Sequence, residues 1–148
     1  MVRFKNRYFL CEYIQENQEW EFSERDLLNE IKDQVEYHFG QFGSGKIQFS
    51  FQVKYLNSIS RLFILRVSRE YKSIIWSTLL FMNMFRGVPI KIRTLSCSGT
   101  IRKCEIRARR LLTKWVHKIL KCDMPNQLRN TIIRDYKQTK QILPQLTQ

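Results

Sequence analysis

No stretch of this 148-residue sequence is apolar for long enough to cross a bilayer. The basic opening MVRFKNR leads only to YFLCEYI before QENQEWE intervenes, so no secretory signal is expected there. Cysteine is sparse. Cys11, Cys97, Cys104 and Cys122 form no CxxC pair and have no histidine at metal spacing, which argues against a zinc site or a disulfide framework. They read as free thiols, mostly in the core, in a reducing compartment. The two histidines are equally unpromising as chemistry: His38 adjoins an apolar stripe, His117 lies among lysines, and neither has a spaced Cys, Asp or Ser. GSGK at 43–46 lacks the spacing of a phosphate-binding loop and reads as a turn before a strand. Internal repeats and low-complexity linkers are missing too, and no metal or other cofactor is expected.

Acid is the remaining shortage. Lys and Arg number 26 against 13 Asp and Glu, a net charge of +13, and the imbalance is uneven along the chain. Residues 1–8 carry +3, residues 9–36 carry −7, residues 37–85 carry +5 and residues 86–148 carry +12. A chain polarised in this way suits a polyanion on its basic side. The acidic segment contains Glu30, Asp33 and Glu36 at a spacing of three, which a solvated helix flank explains without a metal or a paired-carboxylate site.

The elements follow from local signals. Phe22-Ser23-Glu24-Arg25-Asp26-Leu27 carries a Ser N-cap, an acid three residues on and a hydrophobic staple, so a helix starts there. Its stripe is Leu27, Leu28, Ile31, Val35 and Phe39, and Gly40 can end it. IQFSFQVKY over 47–55 alternates as a half-buried strand and pairs as a hairpin with RLFILRVSR over 61–69. A helix from Tyr71 to Arg86, closed by Gly87 and Pro89, precedes a strand through VPIKIRTLSC. After Gly99, the sequence TIRKCEIRARRLLTKWVHKILK predicts a helix with Cys104, Ala108, Leu111, Leu112, Trp115 and Ile119 on one face. A last helix runs from Pro125 to Leu143 with Leu128, Ile132, Tyr136 and Leu143 as its apolar side.

The order is β-α-β-β-α-β followed by two helices. It predicts an α+β chain of one domain over 1–148: a ferredoxin-like core over 1–98, with two helices on a four-stranded antiparallel sheet, and C-terminal helices over 99–148. RNA-recognition domains share this RRM-like plan, but the aromatic motif with which they read bases is missing.

MVRFKNRYFLCE, FQVKYLN, LFILRVSREY and SGTIRKC, in that order over about residues 1–104, resemble the small protein subunit shared by eukaryotic RNase P and RNase MRP. The resemblance implies a noncatalytic subunit that sits in the nucleus and nucleolus. Its partners would be the RNase P and RNase MRP RNAs, a larger barrel-shaped protein subunit and other particle proteins, with no membrane. The particle's RNA would perform the hydrolysis in precursor tRNA and rRNA processing. Rival readings are a generic nuclear or ribosomal RNA-binding protein, an RNA-cleaving enzyme, for which no acid and base pair is found, and a basic membrane-surface module.

The candidate RNA-binding residues fall in three groups. Arg3, Lys5 and Arg7 alternate with Val2, Phe4 and Tyr8, so a strand would show three cations on one face, with Phe4 and Tyr8 anchored in the core behind. The alternative is an edge strand protected by charge. Lys54, Arg66 and Arg69 belong to the middle strands. The helix starting at Thr100 supplies Arg102, Lys103, Arg107, Arg109, Arg110 and Lys114 with a single acid, Glu105; the alternative is a solvated face, but such faces usually mix signs, which favours polyanion binding. Its N-terminus, with Thr100, would add a phosphate site. The helix over 71–86 is apolar nearly all round, so its second face is either core or a protein interface anchored by Trp76, Leu80, Phe81 or Phe85.

Overall fold

The computed structural model describes residues 5–15, 21–122 and 125–147, which fall into two compact units, 1–100 and 101–148. In the first unit, strand β1, Asn6–Gln15, is central. Helix α1, Glu24–Ile47, begins at the expected capping box: the Asp26 N–H donates to Ser23 Oγ at 3.2 Å, and the Ser23 N–H donates to the Asp26 carboxylate at 3.0 Å. Leu27, Ile31 and Val35 are its buried stripe. At Gly40 the backbone leaves the helical region, with φ 66° and ψ −174°, a conformation essentially closed to any side chain.

The helix then resumes, which corrects two expectations. GSGK lies inside helical residues, and the strand foreseen over 47–55 starts only at Gln52. The physical reason is visible in the turn: the amides of Ser50 and Phe51 both donate to the Ile47 carbonyl, at 3.1 and 2.9 Å, continuing the helical sense. Ile47, Phe51 and Tyr55, four apart, are the buried residues, and Phe49 is 90% exposed.

Strand β2, Gln52–Asn57, and strand β3, Leu62–Ser68, form the expected hairpin. Asn57 Oδ1 accepts from the Ser60 amide at 2.7 Å and stabilises the turn. A one-turn 3-10 segment, Arg69–Tyr71, leads into helix α2, Lys72–Phe81. This helix stops five residues short of Arg86. Met84–Phe85 is instead a short strand, β4, that turns through Arg86 (φ 47°) and Gly87 (φ 81°) into strand β5, Val88–Ser98. Two consecutive left-handed residues are what a two-residue hairpin of the right twist requires.

The sheet therefore has five strands rather than four, all antiparallel, in the order β2-β3-β1-β5-β4. One face of β1, Phe9, Cys11 and Tyr13, joins Phe63, Leu65, Val67, Ile90 and Ile92 against Leu27, Ile31, Val35, Ile75 and Leu79 of α1 and α2. Phe85 is fully buried there, its ring stacked on Phe22 at 4.6 Å.

The second unit holds helix α3, Ile101–Leu120, and helix α4, Asn126–Ile142, followed by a 3-10 turn, Leu143–Thr147. Arg129 Nη2 donates to the Leu120 carbonyl at 2.8 Å, closing the end of α3, and the hydroxyls of Thr113 and Tyr136 meet at 3.0 Å. The buried line of α3 is Cys104, Glu105, Ala108, Leu112 and Val116, so Val116 takes the place foreseen for Trp115. In α4, Ile132 is buried as expected, whereas Leu128 is exposed. Cys11 and Cys104 are core thiols; Cys97 and Cys122 are exposed.

Candidate nucleic-acid interface

Two neighbouring strands, β1 and β3, bring their cations to one end of the sheet. The register sets Tyr8 of β1 opposite both Arg66 of β3 and Ser98 of β5, and Arg66 opposite Gln52 of β2. Beyond that row lie Lys5, Arg7, Arg69 and Thr100. The Arg69 amide donates to the Lys5 carbonyl at 2.8 Å, and Arg7 Nη1 donates to the Asn6 carbonyl at 3.0 Å. A Cβ at position 99 would come 3.3 Å from the same guanidinium nitrogen. Although Cys97 is exposed, partial desolvation of its thiol pushes it above its ordinary 9.0, while the positive charges of Lys72 and Arg7 pull the other way, which places both cations near it.

The facing of these groups differs from expectation. Arg7 pairs with Val67 and shares the face of Phe9 and Cys11, so Arg7 lies at the end of the face that packs on α1 and α2. Tyr8 and Arg66 belong to the opposite face. Arg3 and Phe4 lie outside the described residues. Arg66 Nη1 reaches Gln52 Oε1 at 3.5 Å. Lys54 is the extra residue of a bulge between Val53 and Tyr55, half-buried and one pair further in.

In the second unit, Lys103, Arg107, Arg110, Lys114, Lys118 and Lys121 are spaced three and four apart and so line one ridge of α3 and its end, largely open to solvent. Arg102 is exposed on a different flank, and Arg109 is half-buried beside it, so neither belongs to the ridge. Glu105 is 1% exposed, leaving no acid on the solvent side between 101 and 122. Thr113, Lys114, His117, Lys118 and Lys121 line a groove of about 340 Å³.

A different surface borders α2. Trp76, Leu80 and Phe81 are 46, 74 and 59% exposed, as an interface would need, but the buried Phe85 is not part of it. Ile14, Trp76, Leu80 and Ile92 with Lys91, Arg93 and Thr94 line a groove of about 410 Å³. Arg93 is held there by Glu12, its Nε and Nη2 donating to Oε2 at 3.1 and 2.5 Å. Lys72 and the wall residues Ile14 and Lys91 had no local sequence signal; topology alone places them. Among the described residues no group of three or more His, Cys, Asp or Glu could hold a metal ion.

The Rpp14/Pop5 family model matches residues 7–109. The human "Ribonuclease P/MRP protein subunit POP5" is 34% identical over 111 residues, covering 71% of this chain and 68% of that protein. The Schizosaccharomyces pombe protein of the same name is 33% identical over 136 residues, covering 84% and 98%. Among the solved structures, a chain of yeast ribonuclease MRP shares the fold with a TM-score of 0.52 at 13% identity, over 82% of this chain and 99% of that one. With a family model matching more than two thirds of its length, the chain belongs to the Rpp14/Pop5 family.

Proposed function

We infer that this chain is a noncatalytic, RNA-binding protein subunit of RNase P and RNase MRP, the ribonucleoproteins that its relatives' names specify. The observation that carries the RNA-binding part is the α3 ridge: a line of cations from Lys103 to Lys121 with no exposed acid between 101 and 122. At 1.5 Å per residue such a ridge runs about 27 Å, a length suited to several phosphates of one backbone. Contacts of this kind hold and orient RNA without reading bases. The role is thus to brace a folded RNA that itself performs phosphodiester hydrolysis in precursor tRNA and rRNA processing, in the nucleus and nucleolus.

The order β2-β3-β1-β5, with α1 and α2 as the crossovers, supports reading the first unit as the split βαβ, ferredoxin-like plan, with β4 added at the edge. The exposed Trp76 and Leu80 and their groove suit the larger, barrel-shaped protein subunit, since a half-exposed tryptophan beside an apolar cavity is the usual form of an interface anchor. Purification from its own cell at gentle salt, followed by sequencing of the bound RNA, tests the assignment. RNase P and MRP RNAs are expected; ordinary ribosomal RNA alone would refute it.

A further inference from the structure

Past the kink at Gly40, helix α1 displays aromatic surface that the core does not use. Phe42 is 74% exposed. Lys46, one helical turn later, lies over it, with Nζ 3.8 Å from the ring centroid and 5.8 Å from that of Tyr71. Tyr71 ends the 3-10 turn that starts at Arg69, and the Arg69 amide is bonded to the Lys5 carbonyl. The aromatic pair and its lysine are therefore continuous with the cationic end of the sheet, where Lys5, Arg69 and Lys72 stand. A ring open to solvent, with ammonium and guanidinium groups within a turn or two, has the composition of sites that hold single-stranded nucleic acid. There, bases stack on aromatic faces and cations follow the backbone.

We propose that Phe42, with Lys46 and Tyr71, is a stacking site for an unpaired nucleobase of single-stranded RNA. This rests on the RNA-binding reading above and assigns it a second mode: the α3 ridge takes phosphates of structured RNA, and the Phe42 platform takes an unstacked base beside the cations of the sheet end. A base on the open face of Phe42 leaves Lys46 where it is. A base on the other face displaces the ammonium toward the phosphate that accompanies it. Either way the site is indifferent to which base it receives, because every base offers a π face. A protein partner of this patch would instead need acid to meet Lys46, Arg69 and Lys72, whereas RNA brings the matching charge with every nucleotide.

The test uses the full chain and two probes, an oligouridylate of about twelve nucleotides and an RNA duplex of similar length. Phe42→Ala should weaken oligouridylate binding about tenfold and leave duplex binding unchanged. Phe42→Trp should restore it, and Phe81→Ala, which removes another exposed ring, should do nothing to either probe. With 5-iodouridine in the oligonucleotide, ultraviolet cross-linking should label the peptide containing Phe42. Equal losses on both probes, no loss on either, or failure of the wild-type chain to bind oligouridylate while it binds duplex would overturn this site alone. Failure to bind either RNA would overturn the RNA-binding reading with it.

Discussion

Phe22 and Phe85 stack with ring centroids 4.6 Å apart and planes at 29°, joining the residue before the α1 cap to the two-residue strand β4. This stacking makes Phe85 a core residue. Phe85→Ala should cost about 3–5 kcal/mol in chemical denaturation, because it removes a fully buried ring and leaves a cavity. Trp76→Ala and Leu80→Ala should leave folding nearly intact and weaken association with the larger protein subunit proposed above as the partner by about 2 kcal/mol. Variants of Trp76 and Phe85 that unfold alike would place both in the core.

The α1 cap should be visible in the acid limb of stability. Hydrogen bonds from Ser23, and the charge of Arg86, hold the Asp26 carboxyl below its ordinary 3.8. A lowered carboxylate stabilises the fold above its unfolded value, and that contribution disappears as pH falls through the lower folded value. Asp26→Asn should flatten this part of the pH profile below about 4. Ser23→Ala should cost about 1 kcal/mol, measured at neutral pH.

Substituting Lys103, Arg107, Arg110 and Lys114 by Gln should make duplex binding less sensitive to salt. The slope of log K against log salt should fall by about 0.9 for each phosphate that a cation no longer neutralises. Arg109→Gln should leave that slope alone, because Arg109 is half-buried and off the ridge. Equal slope changes at Arg109 and Arg110 would contradict this division.

On the noncatalytic role proposed above, in which the particle's RNA performs the hydrolysis, the isolated chain with Mg²⁺ should not cleave precursor tRNA. Cleavage that persists in a nuclease-free preparation and disappears on a point substitution would show an active site.

What the sequence discloses, and what it hides, separates by range. Ser23, Asp26 and Gly40 act within one or two helical turns, so the start of α1 and its interruption at Gly40 were legible, but Gly40 reads as the helix's end, whereas helical residues resume to Ile47. The cationic side of α3 was legible in outline, because a helix keeps every fourth cation on one side, but its sequence alone did not separate Arg102 and Arg109 from the ridge. The end of α2 was not legible, since LLFMNMF stays apolar past Phe81 and Arg86 is an unusual residue for a positive φ. The gathering of Lys5, Arg69 and Lys72 was hidden for another reason. It depends on β1 lying between β3 and β5, a fact of long-range pairing that no local pattern encodes.

Gly40 carries a constraint of its own. A Cβ there would meet nothing within 4 Å, so neither packing nor volume forbids a side chain; the backbone does. The residue is a fixed elbow rather than a spacer. The direction in which Phe42 and Lys46 face is set by one torsion angle two positions upstream of the first of them. Drift in the sequence that kept both side chains but replaced this glycine would keep the composition of the patch while aiming it elsewhere.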